Sequence, residues 1–245
     1  TMNLMEAVRG LDSVRAQVIV TTDKVYRNVG QETGYVESDA LGGHDPYSAS
    51  KAAADLIAQS WVASFSGPPT AIVRAGNVIG GGDVGADRLL PDLLRAFATG
   101  EPALIRYPNA VRPWQHVLDC LSGYLSVVDA LLNGNGRGEW NFGPGRQGFV
   151  TVGGVSDMAV AAWNRSAKCS GSARWQIGAG HQPHEAAVLA LDAGKSEREL
   201  GWRNVLSVAP SVEWTVDWAA RILHGEHPRD VTVDQIRSFA SLSSQ

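Results

Sequence analysis

Short β-branched apolar runs alternate along this chain with longer segments in which apolar residues recur at helical spacing. Val18-Ile19-Val20 and Ala71-Ile72-Val73 are typical of strands buried on both faces of a parallel sheet. Four further short runs are predicted as strands, at 102–105, 140–142, 173–177 and 188–191. Helical periodicity predicts six helices, at 2–11, 47–65, 87–98, 117–132, 152–163 and 211–223. The Ser-rich residues from Ser238 onward are predicted to be frayed.

This order of elements predicts an α/β fold in two parts. Residues 1–148 carry the parallel strands and their connecting helices. In residues 149–245 the elements are shorter and mixed, which predicts a smaller α+β lobe. Loops between residues 76 and 116 are expected to contribute to that lobe.

Polar residues appear abruptly where the first apolar strand ends. Thr22, Asp23 and Lys24 follow Val20 after a single residue, so they lie at the carboxyl end of a parallel strand. Ligands of open parallel sheets bind at this edge. These three residues are therefore candidates for binding or catalysis, although Thr22 could equally cap the strand end.

A second group of candidate residues opens the next helix. Pro46 suits a first helical turn, and the Ala-rich segment after it places Tyr47 and Lys51, four residues apart, on one helix face. A tyrosine can act as a base near neutral pH only where a neighbouring cation stabilises its phenolate. Lys51 is placed to do this for Tyr47.

These blocks together resemble the extended short-chain dehydrogenases/reductases, the NAD-dependent epimerase/dehydratase family. Thr22, Tyr47 and Lys51 are similar to the family's Thr-Tyr-Lys triad, and Asp23-Lys24 stands where many of its sugar-nucleotide dehydratases have Asp-Glu. The resemblance extends over nearly the whole chain, through the blocks Leu41–Tyr47, Arg74–Asp83, Arg112–Asp119, Trp140–Pro144, His184-Glu185-Ala186, Leu191-Asp192 and Leu200-Gly201-Trp202.

The resemblance implies a fold and an activity. The fold would be the C-terminal part of a Rossmann-type parallel sheet with a smaller substrate-binding lobe. The activity would be a sugar-nucleotide 4,6-dehydration through transient reduction of NAD, with CDP-glucose or a similar sugar nucleotide as the substrate, in a cytoplasmic homodimer. A dehydratase or 4-epimerase for another sugar nucleotide remains an alternative.

The resemblance also implies residue roles. Catalysis is expected from five residues, Thr22, Asp23, Lys24, Tyr47 and Lys51. Cofactor contacts are expected from Thr21, Tyr47, Lys51, Arg74, Gly76 and Val78. Substrate contacts are expected from Asn77, Arg88, Arg112 and His116. The last four also have structural interpretations that the sequence leaves open, as a turn residue, a solvated helix residue, a surface ion pair and a buried histidine respectively.

The family's Gly-x-x-Gly-x-x-Gly turn, on which the pyrophosphate of the dinucleotide rests, is not found in this sequence. Gly143-Pro144-Gly145 opens a similar spacing, but Pro144 removes a backbone donor where phosphate binding needs one. The chain is therefore expected to begin within the fold, and a catalytically silent fragment is the alternative hypothesis.

Composition narrows the classes of partner. The net charge of −4 argues against general nucleic-acid binding, and no segment suggests a membrane partner. Cys120 and Cys169 are too few for a disulfide framework, and the first residues do not read as a signal peptide, which fits the cytoplasm. The pairs His181/His184 and His224/His227 lack a third ligand nearby, so no metal site is predicted.

Overall fold

The structure of the chain is a computed structural model that describes residues 1–31, 33–169, 172–178 and 189–243. These ranges contain eight α-helices: α1 (Met2–Arg9), α2 (Pro46–Ser64), α3 (Leu89–Thr99), α4 (Val117–Leu132), α5 (Val152–Arg165), α6 (Gly194–Leu200), α7 (Val208–Leu223) and α8 (Pro228–Ser243). They also contain eight strands: β1 (Gln17–Val20), β2 (Thr70–Ala75), β3 (Asn77–Ile79), β4 (Ala103–Ile105), β5 (Val111–His116), β6 (Gly138–Phe142), β7 (Phe149–Thr151) and β8 (Trp175–Ile177).

The chain folds into two compact units whose segments interleave. Unit 1 comprises Thr1–Gly76, Cys120–Gly145 and Val188–Arg203, and unit 2 comprises Asn77–Asp119, Arg146–Ala187 and Asn204–Gln245. The sequence predicted a boundary at residue 148, with loops between residues 76 and 116 contributing to the second part. The chain crosses between the units five times, and Asn77–Asp119 belongs to unit 2. The sequence did not indicate that Val188–Arg203 belongs to unit 1.

Unit 1 is built on a parallel sheet in the order β1-β2-β6. Ile19 of β1 lies opposite Ile72 of β2, and both pack against Met5 of α1 and Ala58 of α2. The other face of the sheet packs against α4, through residues such as Phe142. Helices therefore cover both faces, which is why the strands read as continuous apolar runs.

Unit 2 is a mixed α/β layer. Strand β5 pairs in parallel with β3 and antiparallel with β7, while β4 and β8 form a separate parallel pair. Its core lies among α3, α5 and α7, where the rings of Phe97 and Trp163 are 5.6 Å apart. The predicted α/β fold with parallel strands is confirmed.

Several elements differ from the sequence prediction. Strands β3, β5 and β7 and helices α6 and α8 were not predicted. The tail from Ser238 is not frayed, because α8 continues to Ser243 and buries Val231 and Phe239. The strand predicted at 188–191 is reduced to an isolated bridge between Leu191 and Tyr35, and residue 188 lies outside the described residues. Among the described residues, no helix combines the length and apolarity that crossing a bilayer requires.

Candidate active site

The end of β1 carries a buried polar cluster. Thr22 and Asp23 are 9% and 3% exposed. The extended backbone of Thr22 (φ −155°, ψ 159°) caps a 3-10 turn over Asp23–Val25. Its hydroxyl accepts from the Lys24 amide at 3.4 Å and donates to Asp23 Oδ1 at 3.0 Å. Thr22 therefore both caps the turn and fixes the carboxyl group of Asp23, while the Lys24 side chain is exposed.

Helix α2 begins at a position that its sequence defines closely. Asp45 is the N-cap, and its side chain accepts from the Ser48 amide at 3.0 Å, while Pro46 takes the first helical position. The preceding loop passes Ser48 at Gly43, where an added Cβ would lie 2.3 Å from Ser48 Cβ. Only glycine allows the loop to pass this close to Ser48. This close contact positions the first turn of α2, which carries Tyr47.

Tyr47 lies near Lys24. Its side chain is 51% exposed, and the centre of its ring lies 5.9 Å from Lys24 Nζ. Lys51 follows one turn later on the same face of α2 and is half-buried. The predicted residues of the strand end and the helix therefore belong to one unit.

Two residues predicted to contact the cofactor, Thr21 and Arg74, have side chains that hydrogen-bond to protein groups. Arg74 is fully buried, with Nε and Nη2 each 2.8 Å from the carboxylate oxygens of Asp55, and Nη1 2.8 Å from the hydroxyl of Tyr26. Thr21 donates to the same carboxylate at 2.9 Å. The side chains of Thr21 and Arg74 therefore bond to protein groups, and the cofactor contacts predicted for these two residues stay predictions. Gly76 and Val78 are half-buried.

The predicted substrate contacts lie in unit 2. Asn77 opens β3 opposite Trp114 and is half-buried. Arg88 precedes α3, and its side chain is 66% exposed and lies 3.9 Å from Asp83. Arg112 on β5 is only 3% exposed and donates to the carbonyl of Val111 at 2.7 Å. Of the three, Arg88 presents the most accessible charge to solvent.

His116, the fourth predicted substrate contact, is enclosed in unit 2. Its side chain has no exposed surface, and its ring meets Trp214 edge to face at 5.7 Å. Nδ1 accepts from the Leu118 amide at 3.3 Å, so the proton is on Nε2, which finds no partner within the described parts of the chain. Burial lowers the pKa of His116 to about 4. His116 is therefore a neutral, enclosed ring, and its predicted substrate contact stays a prediction.

No three His, Cys, Asp or Glu side chains in the described ranges are arranged to hold a metal ion. His181 and His184 lie outside those ranges. Cys120 is buried and Cys169 is half-buried, and among the described residues neither forms a disulfide.

Comparison with known proteins adds to this geometry. Residues 1–143 match the model of the NAD dependent epimerase/dehydratase family. The chain is 36% identical, over its whole length and 69% of the relative, to a CDP-glucose 4,6-dehydratase of Salmonella typhimurium. It is 27% identical to a dTDP-glucose 4,6-dehydratase of Xanthomonas campestris, over 89% of this chain and 64% of that one.

The chain belongs to the NAD-dependent epimerase/dehydratase family.

A solved structure supports the same conclusion at the level of the fold. A dTDP-glucose 4,6-dehydratase from Streptomyces venezuelae with NAD bound superimposes with a TM-score of 0.71 at 26% identity, over 87% of this chain and 62% of that one. The predicted Rossmann-type fold of the family is confirmed. The chain spans about two thirds of the length of these relatives, between 62% and 69%.

Asp55, which bonds to Arg74 and Thr21, was not among the residues predicted from the sequence. The sequence nevertheless contained a signal for this pairing. Arg74 is a lone charge in a strand buried on both faces, and Asp55 is a lone carboxylate on the Ala-rich face of α2. Buried charges are paired in folded proteins, so each predicts a partner, although the sequence does not say which one.

The buried neutral histidine predicts a specific pH dependence. An unfolded histidine has a pKa of about 6.5, so acid favours the unfolded state. Because the folded pKa of His116 is about 4, its contribution to stability is full above pH 7 and is lost as the pH falls toward 4. His116 should therefore remove about 2 kcal/mol between pH 7 and pH 5.

Urea unfolding of the wild-type chain and of His116→Gln at both pH values tests this. The stability difference between the two proteins should shift by that amount in favour of the variant at pH 5. An unchanged difference would show that His116 titrates alike in both states.

Proposed function

We propose that the chain provides the catalytic residues of an NAD-dependent sugar-nucleotide 4,6-dehydratase, a hydro-lyase that converts CDP-glucose to CDP-4-dehydro-6-deoxyglucose and water. One observation carries the proposal: the exposed Tyr47, whose ring lies 5.9 Å from Lys24 Nζ, is in the same unit as the buried Thr22–Asp23 pair at the end of a parallel strand. The choice of CDP-glucose is supported by the relative at 36% identity, against 27% for the dTDP-glucose enzyme from Xanthomonas.

Tyr47 and Lys51 fit NAD. They present an exposed phenol and a half-buried ammonium from one helix face. The adjoining strand end is where sheets of this kind bind dinucleotides. Bound NAD would supply the hydride transfer that oxidises the sugar at C4 and later reduces C6. Lys51 would hydrogen-bond the cofactor ribose, and Gly76 and Val78 are the remaining proposed contacts.

The first proton transfer is assigned to Tyr47. As a phenolate stabilised by Lys51, it takes the proton of the C4 hydroxyl while Thr22 hydrogen-bonds the same oxygen. The C4 ketone that results acidifies the hydrogen on C5. This order matters because that hydrogen is far too weakly acidic in the parent sugar to be removed.

Elimination is assigned to Asp23 and Lys24. Lys24, in the position where related dehydratases have glutamate, would act as the neutral amine: it would take the C5 proton and return it to C5 once C6 has been reduced. Asp23, in its protonated form, would give its proton to the departing C6 hydroxyl, which leaves as water. Burial of a carboxyl group favours its neutral form, and Asp23 is 3% exposed.

Substrate contacts are assigned to three residues of unit 2. Asn77 and the exposed Arg88 would contact the sugar nucleotide, and Arg112 would bind the diphosphate, where a planar guanidinium can donate two parallel hydrogen bonds. The burial of Arg112 reduces the screening of its charge by salt.

Turnover of CDP-glucose with NAD tests the proposal, with the product identified by mass spectrometry and NMR. We expect a keto sugar lighter by one water. Tyr47→Phe should lower kcat by about 10²–10⁴-fold, the usual contribution of a positioned acid or base. Tyr107→Phe, in unit 2, is the matched control and should retain activity.

Recovery of an epimer, or a preference for UDP-, dTDP- or GDP-sugars, would favour the other family activities. Unchanged substrate together with no NAD binding in a titration would favour the silent-fragment alternative.

We also propose a cytoplasmic homodimer formed through α1 and α2. Four apolar side chains on these helices are 41–62% exposed, namely Met2, Leu4, Leu56 and Ile57. Clustered exposed apolar residues are typical of protein interfaces. The free thiols of Cys120 and Cys169 fit a reducing compartment.

Sedimentation of the wild type should give twice the monomer mass, and Ile57→Asp should give the monomer because it buries a charge in the interface. Leu125→Asp, on the 68% exposed Leu125 of α4, should remain dimeric. A monomeric wild type at high concentration would contradict the proposal.

A further inference from the structure

The carboxylate of Asp55 is fully buried and completely hydrogen-bonded. Oδ1 accepts from Arg74 Nη2 and Gln59 Nε2, both at 2.8 Å. Oδ2 accepts from Arg74 Nε at 2.8 Å and from Thr21 Oγ1 at 2.9 Å. A carboxylate has about four acceptor positions, so all are filled. Four hydrogen bonds from different directions therefore fix the position of the carboxylate.

These bonds join three separate elements. Asp55 and Gln59 lie on α2, Arg74 lies on β2, and Thr21 is the first residue beyond β1. Thr21 directly precedes Thr22 in the chain. Asp55 follows Lys51 by one helical turn and Tyr47 by two. The bonds therefore link the helix that carries the phenol to the strand end that carries the hydroxyl.

Apolar contacts also link α2 to the sheet and to the end of β1. Ala58 packs with Ile19 and Ile72, and Ala52 packs with Val25 and Tyr26 of the turn after β1. Apolar burial is non-directional, so it holds the helix on the sheet without fixing its position along the strands. A bidentate guanidinium–carboxylate pair fixes both distance and orientation.

Arg74 also donates hydrogen bonds to groups other than Asp55. Its Nη1 donates to the Tyr26 hydroxyl at 2.8 Å and to the Glu37 carbonyl at 3.0 Å. Tyr26 donates in turn to Asn141 Oδ1 of β6 at 2.7 Å. Burial raises the pKa of Tyr26, so it remains a phenol and keeps this proton. The guanidinium is thus anchored to the third strand of the sheet as well.

We propose that Asp55, through Arg74 and Thr21, is a positioning residue that sets the distance of Tyr47 and Lys51 from Thr22. The proposal rests on the dehydratase function proposed above and deepens it. Asp55 touches no reacting atom, because it has no exposed surface and its oxygens are occupied.

Asp55→Asn is the direct test. The amide keeps the shape of the side chain, but it loses the charge and places an NH₂ group against a donor of Arg74. Misplacement of a reacting group by about 1 Å costs about 10²-fold in rate. We expect kcat to fall about 10- to 100-fold, with KM for CDP-glucose within about threefold, because substrate binding does not use Asp55.

Arg74→Lys is the second variant. It keeps the positive charge and loses the planar fork, so it should lower kcat in the same way. Ser196→Ala is the matched control, because its buried hydroxyl bonds to the Asn141 carbonyl in the same unit without reaching α2. It should leave kcat unchanged. An equal loss in the control, or a rise in KM at constant kcat in the Asp55 variant, would overturn the proposal.

Amide hydrogen exchange of the 245-residue chain gives a readout that needs no turnover. In Asp55→Asn, exchange should increase in residues 49–58 of α2 and in 21–25, and should remain unchanged in β6. Uniform change through unit 1, or none in α2, would contradict the positioning role.

The kinetic measurements and the hydrogen-exchange measurement together test this inference separately from the proposed function. A wild type without dehydratase activity refutes the function alone, and hydrogen exchange still decides the role of Asp55. An active wild type whose Asp55→Asn variant keeps full kcat refutes only the positioning role.

Discussion

The buried ion pair between Asp55 and Arg74 is the interaction on which the arrangement of unit 1 depends. Removing one partner of such a pair costs about 3–5 kcal/mol, because the other charge is left unpaired. Replacing both partners with apolar residues is often neutral. Stability alone therefore does not explain why the pair is present. Its four directed contacts join α2, β2 and the end of β1 at fixed positions, and these elements carry the candidate catalytic residues.

The proposed chemistry depends on the two segments that this ion pair connects, the end of β1 and the start of α2. A parallel strand that ends in polar residues leaves a threonine and a carboxyl group buried at its tip. A helix that starts at Asp45 and Pro46 presents a tyrosine in its first turn and a lysine one turn later. An alcohol can be oxidised only where base, cation and hydrogen-bond donor approach the same oxygen. Their relative position then matters more than the strength of any one contact.

The sequence predicted the parts of the fold that rest on local pattern. The apolar runs of β1 and β2, the periodicity of α2 and α4, and the start of α2 can be recognised without tertiary information. Strand β5 could not be predicted in this way, because Val-Arg-Pro-Trp-Gln-His contains a proline and three polar residues that become buried only in unit 2. Helix α8 is polar along most of its length and is anchored by two residues, Val231 and Phe239.

The candidate residues that the sequence offered lie in contiguous motifs, and the buried pairings between distant residues were missed. Tyr47, Lys51 and the Thr-Asp-Lys segment lie in contiguous motifs. Asp55 and Arg74 are 19 residues apart, and Tyr26 and Asn141 are 115 apart, so their pairing depends on the folded sheet. The resemblance gave an expected cofactor contact for Arg74 and Thr21, and it did not show that both side chains bond to Asp55. A charge inside an apolar strand shows that a partner is needed and gives no information on its identity.

A double-mutant cycle between Asp55 and Tyr47 tests the central claim most directly. If Asp55 acts through the position of the phenol, Asp55→Asn should lower kcat about 10- to 100-fold in the wild type and less than about threefold in the Tyr47→Phe background, where there is no phenolate left to misplace. The same factor in both backgrounds would show that the buried pair and the catalytic tyrosine are independent, and would contradict the account.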